Sequence, residues 1–187
     1  MSAQGLKYGI KAGVNFANQD FKIADFKITP SAITSFHIQG LVDYGISPAF
    51  SIQPGLALSG KGYKSSSDGA TEKVNLLYVE IPVNAVAKFP ISKVGKFFIG
   101  AGPYAAFGVS GKATGNDAPT EDLFSKNAVY KKGDFGLNFL GGLEFAQGFT
   151  VNANYGLGLS NIIQDNAETA GASIKNKVFA VSVGFLF

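Results

Sequence analysis

The sequence has no cysteine and no tryptophan, and none of its apolar runs reaches the roughly 18 residues that a membrane-spanning helix needs. Without cysteine there are no disulfide bonds and no thiolate metal ligands, although this absence does not identify a cellular compartment. Charged residues make up only 16%, and the net charge of +3 comes from scattered lysines. We therefore expect no nucleic-acid partner, because such proteins need a concentrated basic patch.

Glycine, with 24 residues, and phenylalanine, with 17, are abundant, and they belong to a repeat of two residues. In residues 5–17, GLKYGIKAGVNFA, Leu6 and Tyr8 begin an apolar series, while Lys7 lies in the alternate polar and small series. A period of two predicts a β-strand. The predicted strands lie near residues 5–17, 34–46, 49–62, 75–89, 96–110, 133–146, 149–160 and 176–187. We therefore expect one all-β domain over residues 1–187.

The predicted strands are long, and the connections between them alternate in length. Most segments have about 12–15 residues, whereas ordinary strands have about 5–6. Tilted strands that cross a bilayer need about 9–11 residues plus flanks. The short connections lie near 47–48, 90–95 and 146–148, and the long polar ones near 18–33, 63–73, 111–132 and 161–175. This pattern predicts an eight-stranded antiparallel up-and-down transmembrane β-barrel with short periplasmic turns and longer extracellular loops.

Alternation alone does not say which face of the barrel is inside. A soluble, lipocalin-like barrel would turn its apolar face inward around a small apolar ligand. Here the polar series is rich in glycine, serine and asparagine, whose small side chains fit a narrow interior. The other series carries the bulky apolar side chains, which we expect to face lipid. Aromatic residues beside the short turns predict a girdle at one membrane interface. Its members are Tyr8, Tyr44, Phe50, Phe89, Phe97, Phe145, Phe149, Phe185 and Phe187, with Phe16, Phe36, Phe107, Phe135 and Phe179 as the opposite girdle.

Charged and amide side chains on the other series are predicted to fill the interior. The predicted interior network consists of Lys11, Asp43, Lys61, Glu80, Asn84, Lys88, Asp134, Asn138 and Glu144. Buried charges must pair, because an isolated one costs several kcal/mol. We expect Glu80 to pair with at least one inward lysine, with Lys11 as the first choice and Lys88 as the second. Eight strands leave an interior only wide enough for side chains, so we expect no open pore.

Catalytic and metal-binding patterns are weak in this sequence. His37 is the only histidine, and a serine and an acid from other strands would be needed to make a barrel enzyme with a rim site. Asp117, Glu121 and Asp122 lack the spacing of a calcium loop. We therefore expect no cofactor, no metal and no enzymatic activity. Pro54, Pro82 and Pro103 fall within predicted strands, where bulges or register shifts are expected.

Several stretches in order resemble a known family. They are GIKAGVNFA at 9–17, IQPGLALSGKG at 52–62, LLYVEIPV at 76–83, GAGPYAAF at 100–107, LGGLEF at 140–145 and the final VSVGFLF. Together they resemble the Bacteroidetes-type outer-membrane β-barrel domain family, which includes PorT-like proteins and is similar to small OmpX-like barrels. Gly55 stands where that family usually has an acidic residue.

The resemblance implies a location in the Gram-negative outer membrane, with lipid as the surrounding partner. The resemblance does not imply one activity, although PorT-like members are associated with protein secretion across the outer membrane. The lack of a complete catalytic constellation favours a structural or binding role through the extracellular loops, as an accessory to such secretion. We expect a monomer whose native signal peptide is missing from this sequence. The alternatives are a lipocalin-like carrier of a small apolar ligand and a barrel enzyme with a rim site.

Overall fold

The computed structural model of the protein describes residues 5–23, 26–67, 70–91, 93–115, 122–125, 130–164 and 171–187. Within these residues the chain forms nine β-strands. They are β1 (Leu6–Ile23), β2 (Phe26–Ile28), β3 (Ile33–Ser47), β4 (Phe50–Ser67), β5 (Ala70–Ile91), β6 (Gly95–Thr114), β7 (Gly133–Phe145), β8 (Phe149–Gly158) and β9 (Ala172–Leu186). Among the described residues, no helix is long and apolar enough to cross a membrane.

Eight of these strands close into a ring of antiparallel pairs. Each strand from β3 to β9 pairs with the next, and β1 pairs with β3 on one side and with β9 on the other. The β1–β9 seam runs from Gly9↔Leu186 to Ile23↔Ala172. The predicted eight-stranded up-and-down barrel is therefore confirmed. β2 is an addition to the ring: its three residues pair only with the far end of β1.

The two ends of the barrel differ in their connections. Tight connections join β3 to β4, β5 to β6, and β7 to β8, and we call this the turn end. At the opposite end, which we call the loop end, long connections join β6 to β7 and β8 to β9, whereas a short one joins β4 to β5. Side chains alternate between the two surfaces along each strand. In β8, Val151 and Tyr155 point outward and are 44% and 40% exposed, whereas Asn152 points inward and is 4% exposed.

The strands extend farther toward the loop end than their apolar alternation predicts. β4 continues to Ser67 and β5 begins at Ala70, although residues 63–73 are predicted as a loop. Alternation continues there, because Tyr63 packs inward while the outward face carries lysines. Because the outward side chains of these extensions are polar, the extensions resemble loops in composition. For the same reason β1 reaches Ile23, β6 reaches Thr114 and β2 lies within a predicted loop.

Pro54, Pro82 and Pro103 lie on three adjacent strands, and they do not cause the register shifts that were expected. The register is the same on both sides of each proline, and two successive pairs are missing from each ladder instead. The flanking pairs are Leu41↔Gly55 and Tyr44↔Ile52, Pro54↔Val83 and Ala57↔Glu80, and Pro82↔Tyr104 and Ala85↔Ala101. The shifts occur elsewhere, between Gly45 and Ser47 and between Leu77 and Tyr78. Proline removes a ladder donor without moving the strand.

Two glycines distinguish the packed interior from the lipid face. A Cβ atom on Gly13, which faces inward, would collide with the Val181 carbonyl oxygen and the His37 ring, whereas a Cβ on Gly40 would meet nothing within 4 Å. We expect Gly13→Ala to lower the free energy of unfolding by about 1–3 kcal/mol, because overpacking forces neighbours to shift. Gly40→Ala should leave it nearly unchanged. Urea titration, followed by the mobility of unheated samples in SDS gels, would measure both, and equal effects would contradict the interior packing.

Candidate functional site

The interior of the barrel contains two separate clusters of ion pairs. The cluster near the turn end is centred on Lys88, whose ammonium contacts Asp43 Oδ2 and, at 3.1 Å, Glu144 Oε2. Lys7 approaches Glu144 Oε1 at 3.0 Å from the rim, and Gln53 Nε2 donates to Asp43 Oδ1 at 3.0 Å. Lys88, Asp43 and Glu144 are all more than nine-tenths buried. This cluster fills the barrel where β3, β5 and β7 face one another.

The second cluster lies toward the loop end and is centred on Lys61 and Asp134. Lys61 Nζ lies 3.0 Å from both Asp134 Oδ2 and Glu80 Oε2. The ammonium also lies over the ring of Tyr104, 4.2 Å from its centroid, which adds a cation–π contact. The expectation that Glu80 pairs with an inward lysine is confirmed, but the partner is Lys61 and neither Lys11 nor Lys88. Lys61 lies on the neighbouring strand β4, on the same inward face as Ala57, which is the cross-strand partner of Glu80. Lys61 is four residues, or two pleat repeats, beyond Ala57, a distance that the two long side chains bridge.

Asp134 is the most heavily hydrogen-bonded acid in this cluster. Besides Lys61, it accepts hydrogen bonds from Tyr104 Oη at 3.3 Å, Asn176 Nδ2 at 2.9 Å and Ser160 Oγ at 2.9 Å. A carboxylate that is removed from water needs such donors for its lone pairs. Asp134 thereby ties together β4, β6, β9 and the segment after β8.

A polar cavity of about 40 Å³ separates the two clusters. Lys11, Glu80, Asn84 and Asn138 line it, and Lys11 makes no ion pair with the described residues. Asn84 Oδ1 is buried against it without a hydrogen-bond partner in the protein. A volume of this size holds a few water molecules at most, since one needs about 10–15 Å³. The cavity is therefore too small to hold a sizeable solute.

His37 stands beside this cavity in a hydrogen-bonded chain that the sequence did not reveal. His37 Nδ1 lies 2.7 Å from Asn15 Oδ1, and Nε2 lies 2.8 Å from Ser182 Oγ. Because the Asn15 oxygen can only accept, Nδ1 carries the proton and Nε2 accepts from Ser182. The order Ser–His–Asn is that of a hydrolase triad. All three residues are more than nine-tenths buried, and all three line the cavity.

The loop end of the interior is filled by an apolar core. Phe124 and the pair Ile162 and Ile163 come from connecting segments that fold into the barrel. Phe124 stands edge-on to Tyr78, with ring centroids 5.6 Å apart, and Leu123 N donates to Gly111 O. Only a polar interior was predicted. The sequence does contain an indication of this core, because these apolar residues lie within two otherwise polar connections.

A pocket of about 260 Å³ opens above this core. We call it the mouth pocket and define it by Phe21, Tyr63, Val74, Ala113, Leu123 and Tyr130. Phe21 and Tyr63 meet edge-to-face, with centroids 5.1 Å apart. Glu72 and Lys73 supply charges at its rim. A concave apolar wall with a few polar groups is the usual form of a ligand site.

Outside the barrel, aromatic side chains form belts at both ends. At the turn end, Phe89 stacks on Phe97 and Phe149 meets Phe185 edge-on. Tyr8, Tyr44, Phe50 and Phe187 are exposed at the same end, and Phe145 is partly exposed. At the loop end, Phe16 stacks on Phe179, with centroids 6.3 Å apart. Exposed apolar residues cover the strands between the belts, as a lipid-facing surface requires.

The acids considered for calcium do not form a site within the described residues. Asp117 and Glu121 lie outside them, and Asp122 Oδ1 accepts from the Phe124 amide at 3.1 Å. No group of three or more histidine, aspartate or glutamate side chains in the described ranges is close enough to hold a metal ion.

Solved structures of outer-membrane barrels are similar to this one. The model of the outer membrane protein β-barrel domain family matches residues 2–164. Neisserial surface protein A is 15% identical, with a TM-score of 0.51 and 98% of this chain and 99% of that chain covered. OprG from Pseudomonas aeruginosa is 13% identical, with a TM-score of 0.52 and coverages of 98% and 97%. These identities show the fold alone, and no curated protein sequence is significantly similar.

Asp134 provides a test of the interior ion pairs. We expect Asp134→Ala to lower the free energy of unfolding by about 3–5 kcal/mol, because Lys61 loses one of its two carboxylates in a dry interior. Asp134→Asn should cost less, since it retains acceptors for Ser160 and Tyr104. The control is Lys27→Met, which breaks an exposed ion pair with Asp20 and should change little. If urea unfolding of the three variants is indistinguishable, the interior is hydrated and the pairing contributes little.

Proposed function

Because the chain belongs to the outer membrane protein β-barrel domain family, we propose that it is a binding module that acts through its extracellular end. The protein lies in the outer membrane, where short turns face the periplasm and long connections face the exterior. The turn end is then periplasmic and the loop end extracellular. Lipid surrounds the wall between the two aromatic belts.

The filled interior is the main observation that supports a binding role at the extracellular end. Two buried ion clusters, a cavity of about 40 Å³ and an apolar core follow one another along the barrel axis. A solute would have to break ion pairs and displace aromatic side chains to pass, and each step costs several kcal/mol. Function through a pore is therefore disfavoured, and the accessible ends remain.

The described part of the β4–β5 hairpin extends the barrel wall at the extracellular end. β4 and β5 continue as paired strands beyond the lipid-facing residues Leu58 and Val79, with Lys64↔Lys73 paired near the tip. Strand pairing and the apolar core fix this hairpin, so a partner that binds it meets a preformed surface. Preformed surfaces lose less conformational entropy on binding than free loops do.

We propose a protein as the partner, and a component of a secretion complex as its class. The sequence stretches that resemble PorT-like barrels support this choice, as does the absence of a passage for small solutes. We also propose that the chain belongs to the Bacteroidetes-type branch of the family and acts as a monomer in lipid. Binding, not catalysis, is the proposed activity, because the described Ser–His–Asn chain is shut inside the barrel.

Cross-linking from single cysteines tests this proposal, because the chain has no cysteine of its own. Thr114→Cys places a thiol at the extracellular tip of β6, and Val94→Cys places one in an exposed periplasmic turn. With a photo-reactive maleimide on intact cells, we expect Thr114→Cys to capture one defined partner protein. Val94→Cys should not capture it. Equal capture from both positions, or capture from neither, would contradict an extracellular partner.

The mouth pocket favours a second candidate, the binding of a small apolar ligand. Its volume is about 260 Å³, and aromatic and aliphatic side chains form most of its wall. This candidate function is a form of the carrier alternative, with the ligand bound at the extracellular mouth of the barrel. The lumen of a lipocalin-like barrel holds its ligand at the centre, where this barrel is polar and filled.

Filling the pocket distinguishes the second candidate from the first. Ala113→Phe places a ring inside the pocket, and we expect it to abolish saturable binding of a phenylnaphthylamine fluorophore. Val109→Phe is the matched control, because the same side chain is added on the lipid-facing surface of β6, where Val109 is 50% exposed. Fluorescence titration in one detergent would compare them. If all variants bind equally, the dye partitions into detergent and the pocket is not a ligand site.

A further inference from the structure

Among the described residues, four lysines surround one acid on the outer surface of β1, β2 and β9. We call Lys22, Lys27, Lys175 and Lys177 the lysine cluster, and Asp20 lies at its centre. Asp20 pairs with Lys175 across the β1–β9 seam, and Lys22 pairs with Lys27 across β1 and β2. The Asp20 carboxylate forms ion pairs with Lys27, at 2.9 Å, and with Lys177. Thr29 Oγ1 also donates to Asp20, at 2.9 Å.

The lysine cluster begins immediately above the lipid-facing surface. On the same outward face, Phe16 and Phe179 are direct cross-strand partners in the extracellular aromatic belt. Lys177 is two residues beyond Phe179, and Lys175 is four residues beyond it. Two residues advance a strand by about 6.6 Å, or about 5 Å along the membrane normal at the usual tilt. The ammonium groups therefore lie at the height of the lipid headgroups of the outer leaflet.

The cluster has more positive charge than its one described acid can neutralise. Asp20 contacts Lys27 and Lys177, whereas Lys22 and Lys175 form no ion pair with the described residues. Lys22 also stands directly opposite Lys27, and like charges in that position destabilise a strand pair. An anion held between these side chains would relieve the repulsion.

We propose that the lysine cluster binds the phosphate groups of an outer-leaflet glycolipid. Ammonium groups are strong donors to phosphate oxygens, and lysine stems can follow an apolar surface while the charged head remains at the interface. Below the cluster, outward Val14, Phe16, Phe179 and Val181 form an apolar wall for the acyl chains. A headgroup site and an acyl-chain surface lie on the same two strands. This continuity favours a lipid over free phosphate as the occupant.

Native mass spectrometry of the detergent-solubilised full chain tests the proposal with lipid A as the probe. The variant Lys22→Gln/Lys175→Gln removes the two unpaired charges and leaves the Asp20 ion pairs intact. A lysine near an anionic headgroup contributes about 1 kcal/mol, which is about 5-fold in affinity, so two should weaken binding about 25-fold. The wild-type protein should bind fully dephosphorylated lipid A no better than the variant binds lipid A.

Two controls separate this site from general charge and from free phosphate. Lys93→Gln/Lys96→Gln removes the same charge at the periplasmic end and should bind lipid A like the wild-type protein. Inorganic phosphate at the same concentration should not displace the lipid. Equal weakening by the two double variants, unchanged binding in Lys22→Gln/Lys175→Gln, or displacement by inorganic phosphate would each overturn the proposal.

Discussion

A backbone N–H or C=O group within the hydrocarbon layer has no water to bond, so it must find its partner in the protein. The seam between β1 and β9 meets this requirement by joining strands from opposite ends of the chain. Once the ring is closed, each strand has one face toward lipid and one toward a narrow interior. The outward apolar surface, the inward glycines and the polar interior all follow from that division.

The interior of so small a barrel must be filled with side chains that satisfy one another. Charged residues are costly there, and each of the two clusters has a lysine shared between two acids, Lys88 for Asp43 and Glu144, and Lys61 for Glu80 and Asp134. A third group of interior side chains, the apolar core that contains Phe124 and Ile162, lies at the extracellular end. Such a filled interior leaves the two ends and the outer wall as the surfaces on which this protein can meet other molecules.

The period of two, together with the connection lengths and the composition of the two faces, was sufficient to predict the number of barrel strands, their order and the face on which each side chain lies. It could not predict the partner of Glu80, because that depends on the register between strands, which no single strand encodes. It also missed the extensions of β4, β5 and β6, since residues beyond the membrane are polar outside and resemble loops in composition. The chain Ser182–His37–Asn15 joins three strands that are distant in sequence, so spacing gave no indication of it.

Pro54, Pro82 and Pro103 have a consequence for the mechanics of the barrel. Each removes pairs from a different ladder, and the three gaps fall on neighbouring seams between β3 and β6. In the opposite wall, from β7 through β9 to β1, the ladders are continuous over their described lengths. The barrel is therefore stiff on one side and compliant on the other. When lateral pressure in the bilayer changes the circular cross-section to an ellipse, the bending concentrates in the β3–β6 wall.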